Sequence, residues 1–237
     1  MQVDIWSDVV CPWCYIGKRR LEAALDRFAH RGEVEVRWHS FELDADAPAE
    51  RTGPYAQRLA EKYGVGVADA QGMIDSMTAA AAADGLDFRF DQVRPGNTFA
   101  AHRLLHLAAD RGCQDALKER LLAAYMTEGR PIGDIETLAE LAEEAGLDPH
   151  EARTVLEGDA YAADVRADER QAAEIGISGV PFFVVDRRYG VSGAQPADVL
   201  LGVLDRAWTE SHPTLQLVPV GGPDAAAAAC EGDSCAV

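Results

Sequence analysis

The chain has 237 residues, enough for a substantial hydrophobic core, and 48% of them are apolar, an ordinary share for a folded globular protein. Its 40 acidic residues against 22 basic ones give a net charge of −18, which repels phosphate backbones and anionic lipid. No window approaches the apolar length that spans a bilayer, so neither nucleic-acid nor membrane partners are expected.

Residues 2–10, rich in Val, Ile and Trp, predict a strand that stops at Cys11-Pro12. The chain enters this strand directly, with no basic leader ahead of an apolar run, and a cytoplasmic protein is expected. Residues 14–31 place Ile16, Leu21, Leu25 and Phe28 at helical spacings, and Gly32 ends the segment. Val34, Val36 and Trp38 then alternate with polar residues as a half-buried strand does. The first 40 residues thus spell β-α-β, the unit of a parallel sheet.

From Pro48 to Gly176 the composition turns to Ala, Leu, Glu, Asp and Arg, which favour helix. Helical pieces are expected at 50–63, 68–84, 98–111, 113–128, 134–145 and 149–174, the last broken near Gly158. Asn97 and Asp148 stand where N-caps belong, and Pro149 suits a first helical residue. Strand character returns at 182–186 and 189–192, read as a hairpin joined by Arg187-Arg188, followed by a helix from Pro196 to Trp208. Beyond His212 the composition is that of an extended tail ending in Cys230 and Cys235.

The chemistry centres on Cys11-Pro12-Trp13-Cys14, at a strand-to-helix junction. Disulfide exchange needs a thiolate that attacks and a second thiol that resolves the mixed disulfide. At the helix start, unpaired N–H groups and the positive end of the helix dipole favour an anion on Cys11, while Cys14 lies one turn inside. Lowering a thiol pKa from about 8.5 to about 6 raises the thiolate fraction at pH 7 roughly 30-fold, part of which is lost through weaker nucleophilicity. Pro12 fits the first turn because it has no N–H to lose there. The competing readings are a zinc-ligand pair, completed by Cys230 and Cys235, or an inert buried pair. The β-α-β setting favours redox chemistry, and no metal is expected.

A second landmark is Gly179-Val180-Pro181 before the apolar run Phe182–Val185. Proline there fits a strand start, with trans as the ordinary state of its peptide bond.

Taken in order, several blocks resemble DsbA-type thioredoxin-fold proteins, and more closely their FrnE-like intracellular group. They are residues 7–17 around the dithiol, 38–43 (Trp-His-Ser-Phe-Glu-Leu), Asn97-Thr98 with Ala101-His102, 179–184, and 189–196. The resemblance implies an α/β thioredoxin-like fold with a large helical insertion. Residues 1–47 and 177–211 would form the discontinuous thioredoxin-like domain, 48–176 the helical domain, and 212–237 a flexible tail. It also implies a cis Pro181 facing the dithiol, with the Val180 backbone presented to substrate, and oxidation, reduction or isomerisation of protein disulfides. Oxidised or unfolded proteins are then the substrates. A cellular thiol such as glutathione is the redox partner, with no bound cofactor. One departure matters: periplasmic members commonly carry His before the second cysteine, and this chain has Trp13, which argues against a strongly oxidising protein.

Further candidates surround the motif. Asp4 and Asp8 precede it, and either could take a proton as Cys14 attacks; Asp8 could instead organise the loop. Trp13 and His39 are candidates for the mouth of the site. His102 and His106 lie four apart on a helix without completing a metal set, and Cys113 is assigned no role. Cys230 and Cys235 are a candidate second redox pair exchanging with Cys11–Cys14. The functional alternatives are a glutathione-dependent small-molecule isomerase or tailoring enzyme, and a non-catalytic chaperone-like binding module.

Overall fold

The structure is a computed structural model in which residues 1–213 are described. Strand β1 (Gln2–Ser7) is central, in a sheet of order β2-β1-β3-β4. β2 (Glu35–Ser40) runs parallel to β1, so a crossover is obligatory, and α1 (Pro12–Arg27) supplies it. β3 (Phe182–Val185) pairs antiparallel with β1, and β4 (Tyr189–Ser192) with β3. The period of two along β1 sends Val3 and Ile5 to one face, where α1 and α9 (Ala197–Ser211) close a core with Leu21, Leu25, Phe28, Phe183 and Leu204. Trp6 points to the other face, against Ala172 and Ile177.

Between β2 and β3 runs the helical insertion: α2 (Tyr55–Tyr63), α3 (Val67–Ala83), α4 (Phe99–Asp110), α5 (Gln114–Met126), α6 (Ile135–Glu144), α7 (Pro149–Glu157) and α8 (Ala162–Glu174). Leu104, Leu107, Leu117, Leu121, Leu138 and Leu141 build its core, and Val9, Tyr15 and Ile16 from the dithiol segment pack into the same cluster. The fold is therefore α/β, thioredoxin-like, with a large helical insertion that touches the motif directly.

Local chemistry sets the element ends. β1 stops at Ser7 rather than residue 10 because the Asp8 carboxylate accepts from its neighbour Val9 N (2.7 Å) and from Leu43 N (2.8 Å), diverting the backbone into a turn. α1 starts earlier than expected, at Pro12 with Cys11 as N-cap, and ends at Arg27 because Phe28 turns extended to bury its ring. α2 starts at Tyr55 and not residue 50, since Pro54 holds its own φ and restricts Gly53. Asp148 caps α7 through Glu151 N (2.9 Å). Asn97 works one residue ahead of the cap, which is Thr98: it accepts from Phe99 N (2.9 Å) and donates to the Ala47 carbonyl (3.1 Å). It thereby ties the segment after β2 to the start of α4. The β3–β4 turn is centred on Asp186-Arg187, both at positive φ (49° and 55°), one residue earlier than expected. The Asp186 side chain accepts from Gln2 N (2.7 Å), fastening that turn to β1.

Candidate active site

Cys11 and Cys14 are free thiols at the start of α1, 4% and 0% exposed. The Cys11 thiol donates to the Val180 carbonyl at 3.6 Å, across from the cis Val180–Pro181 peptide. Gly17 makes this approach possible, because a Cβ there would sit 2.9 Å from Pro181 Cγ and 3.2 Å from the Phe183 ring. Cys11, Pro12 and Trp13 open onto a cavity of about 1020 Å³ whose far wall is supplied by the insertion, including Tyr55, Leu59, Met73 and Met77. Trp13 is 40% exposed at its mouth.

The two sulfurs share their protons. Burial pushes the Cys14 thiol up, but the hydrogen bond from Cys11 and the Lys118 ammonium outweigh it, and its pKa falls below the ordinary value. Cys11, as the donor in that bond and buried as well, is raised well above it. The pair therefore loses its first proton early and its second late, a property of the dithiol as a unit. Helix-start N–H groups act on Cys11, and a buried cation acts on Cys14.

That cation went unread in the sequence. Lys118, fully buried, donates from Nζ to the Ser7 carbonyl at 3.3 Å, and burial pushes its pKa down to about 8. A signal was present, since Lys118 stands between Leu117, Leu121 and Leu122 on the buried side of α5. Beside it lies Asp8, fully buried. Burial raises its carboxyl, but His102 (Nε2 3.3 Å away), the Leu43 N–H and Lys118 hold it below the usual range. Asp8 thus organises the loop as a carboxylate and is a weak proton acceptor at neutral pH. Burial keeps His102 below its usual value, and therefore neutral.

Asp4 and His39 are not part of this site. β1 runs toward the dithiol, and Asp4 sits four residues before Asp8, about 13 Å away along a strand. His39 joins β1 to α8: its Nε2 meets Asp4 Oδ1 at 2.8 Å and its Nδ1 meets Asp168 Oδ1 at 2.9 Å, while its ring stacks on Trp6 at 4.5 Å. Asp168 also accepts from Ser40 N (2.8 Å) and meets His106 Nε2 at 3.1 Å. His102 and His106, four apart, thus serve different clusters. Cys113 is the N-cap position of α5, half-buried and apart from the dithiol cavity. Cys230 and Cys235 lie outside the described residues.

Comparison with known proteins agrees with this geometry. Residues 2–205 match the DSBA-like thioredoxin domain. The chain is 30% identical over 203 residues to YwbO of Bacillus subtilis (strain 168), covering 84% of this chain and 93% of that protein. A crystal structure described as a probable DsbA oxidoreductase, SCO1869 from Streptomyces coelicolor, is 49% identical with a TM-score of 0.85, covering 94% of this chain and 97% of that one. The cytosolic disulfide reductase DsbM from Pseudomonas aeruginosa, solved with GSH, shares the fold at 21% identity and a TM-score of 0.62, over 88% and 99% of the two chains. No helix among the described residues is long and apolar enough to cross a membrane. The chain belongs to the DSBA-like thioredoxin domain family.

Proposed function

We propose that this protein is a cytoplasmic dithiol–disulfide oxidoreductase or isomerase acting on protein substrates through Cys11 and Cys14. The observation that carries the reading is the free dithiol at the start of α1, with Cys11 facing the Val180 carbonyl and a large, mostly apolar cavity. The intracellular, FrnE-like placement is part of the proposal and rests on the order of the motif blocks. The description of a same-fold protein as a cytosolic disulfide reductase, solved with GSH, fits a small-thiol pool as electron source.

In the reducing direction, Cys11 passes its proton along the hydrogen bond to Cys14 and its thiolate attacks one sulfur of a substrate disulfide. A mixed disulfide forms and one substrate thiolate leaves. Cys14 then loses its proton and attacks Cys11 Sγ, closing the Cys11–Cys14 disulfide and releasing the second substrate thiol. The reacting dithiol is the monoanion with its charge on Cys14: two electrons pass to the substrate, its one proton ends on one released thiol, and the other substrate sulfur leaves as a thiolate that solvent protonates. A cellular thiol such as glutathione restores the dithiol. Lys118 stabilises the thiolate at Cys14, and Val180 with Pro181 positions the substrate chain beside Cys11.

The test is reduction of a protein disulfide by the full chain with a thiol reductant in excess. The expected result is turnover that vanishes in Cys11→Ser and in the double variant Cys11→Ser, Cys14→Ser. Activity that survives Cys14→Ser but requires glutathione with a small-molecule substrate would instead make the protein a glutathione-dependent isomerase or tailoring enzyme. Full cellular function in the double variant would make it a binding module.

A further inference from the structure

The cavity wall opposite Cys11 holds a charge that the exchange mechanism does not use. Arg58, on α2, has its Nε and Nη1 shielded from solvent and without a hydrogen-bond partner among the described residues. This is unusual for a chain with 40 acidic residues. Arg51, which lines the same cavity, pairs with Asp44. Glu61, three residues along α2, also lines the cavity but makes no ion pair with Arg58. Leaving desolvated guanidinium nitrogens unpaired is unfavourable, and an anionic ligand relieves it.

The surroundings suit a carboxylate. The Arg58 guanidinium lies 5.4 Å from the centre of the Tyr55 ring, and the Tyr55 phenol is within electrostatic reach of both Arg58 and Cys11. Burial, then the Cys11 sulfur, pushes that phenol up to about 12, so it keeps a proton to donate. Thr98 lines the same cavity, is 2% exposed, and its Oγ1 also lacks a partner, since it caps α4 without using its side chain. We infer that Arg58, with Tyr55 and Thr98, forms a subsite that holds a carboxylate carried by the disulfide substrate while its sulfur meets Cys11. This rests on the exchange reaction proposed above. The carboxylate belongs either to a small acidic thiol or to an acidic residue beside a polypeptide disulfide. Because the whole chain carries −18 and repels anions, a preference for anionic substrates has to arise locally.

The prereduced full-length protein is reacted in single turnover with three small disulfides: dithiodipropionate (anionic), bis(hydroxyethyl) disulfide (neutral) and cystamine (cationic). Each rate is divided by that of the same disulfide with free dithiothreitol, which removes differences in intrinsic reactivity. In each reaction one disulfide is consumed, two thiols are released and Cys11–Cys14 is oxidised. The expected result is a corrected rate for dithiodipropionate about tenfold or more above the neutral disulfide, the factor for one charge-assisted hydrogen bond. Arg58→Gln should erase that ratio, and Arg58→Lys should keep part of it. Disulfide-linked peptides carrying Glu or Gln beside the cysteine distinguish the sources. A preference confined to the Glu peptide assigns the carboxylate to a polypeptide, one shared with dithiodipropionate extends it to small thiols, and either supports the subsite. Wild-type rates that favour neither dithiodipropionate nor the Glu peptide, or a preference that survives Arg58→Gln, overturn the subsite and leave the exchange reaction standing. No reaction with any of the disulfides overturns both.

Discussion

Two buried charge clusters hang from the same strand, and they are built differently. The Asp4–His39–Asp168–His106 cluster is saturated: each ring nitrogen of His39 has a carboxylate, and the Asp168 oxygens take His39, His106 and Ser40 N. The Asp8–His102–Lys118 cluster beneath the dithiol is not: among the described residues Lys118 has one backbone acceptor at 3.3 Å, and His102 Nδ1 has no partner. Buried polar groups are ordinarily paired, so the incomplete cluster stands out as the place where charge is poised for a reaction. The complete one clamps α8 to the sheet, joining the insertion to the strands that carry the dithiol.

The largest effect should come from breaking the saturated cluster. Asp168→Asn leaves a buried charged histidine short of its partner, and a loss of about 3–5 kcal/mol is expected in denaturant unfolding. The exchange rate per folded molecule should stay unchanged; a slowed rate with stability intact would erase the distinction between the clusters.

The pH dependence of stability comes next. Burial lowers the His39 pKa, but hydrogen bonds to Asp168 and Asp4 outweigh it and raise it from 6.5 to about 9. A raised folded value means that this stabilisation is complete below about pH 6.5 and is lost as pH rises through about 9. The amount is on the order of 3 kcal/mol. The carboxylates act oppositely, since both Asp4 and Asp168 are held below 3.8 despite burial, and their contribution disappears as pH falls below that value. Unfolding curves collected across this range should lose the alkaline decline in His39→Gln; an unchanged decline would assign it to another group.

Gly17→Ala should cost about 1–3 kcal/mol through overpacking against Pro181, although alanine is the better helix former by about 1 kcal/mol. Thermal unfolding decides the sign, and stabilisation would mean that the helix moves off Pro181 freely. The smallest effect is electrostatic. Lys118→Met removes the cation beside Cys14 and should raise the first dithiol pKa, read as thiolate absorbance against pH. A first pKa left where it was would show that the helix start alone supplies the shift.

Much of the fold was legible because its signals are local. Alternation marked β1 and β2, glycines and Asp148 marked helix ends, and the change of composition after Pro48 marked the insertion. Boundaries went wrong where a side chain acts at a distance, as when Asp8 reaches Leu43 to end β1, or Asn97 reaches Ala47. Cys11 and Cys14 stood out through their spacing together with their place at a strand-to-helix junction. Asp4 and His39 were misplaced because sequence proximity to the motif says nothing of distance along a strand. Lys118 and Arg58 were missed because the insertion brings one beneath Cys14 and the other to the cavity wall, relations that exist only after folding.

The central claim is that Cys11 attacks and Cys14 resolves. Both single serine variants, prereduced and full length, are mixed with a protein disulfide and quenched in acid, and the adducts are mapped by mass spectrometry. Cys14→Ser should accumulate a one-to-one mixed disulfide through Cys11, because the resolving thiol is gone, and Cys11→Ser should form none, because Cys14 is fully buried. A mixed disulfide through Cys14 in Cys11→Ser, or none in either variant, would contradict the account.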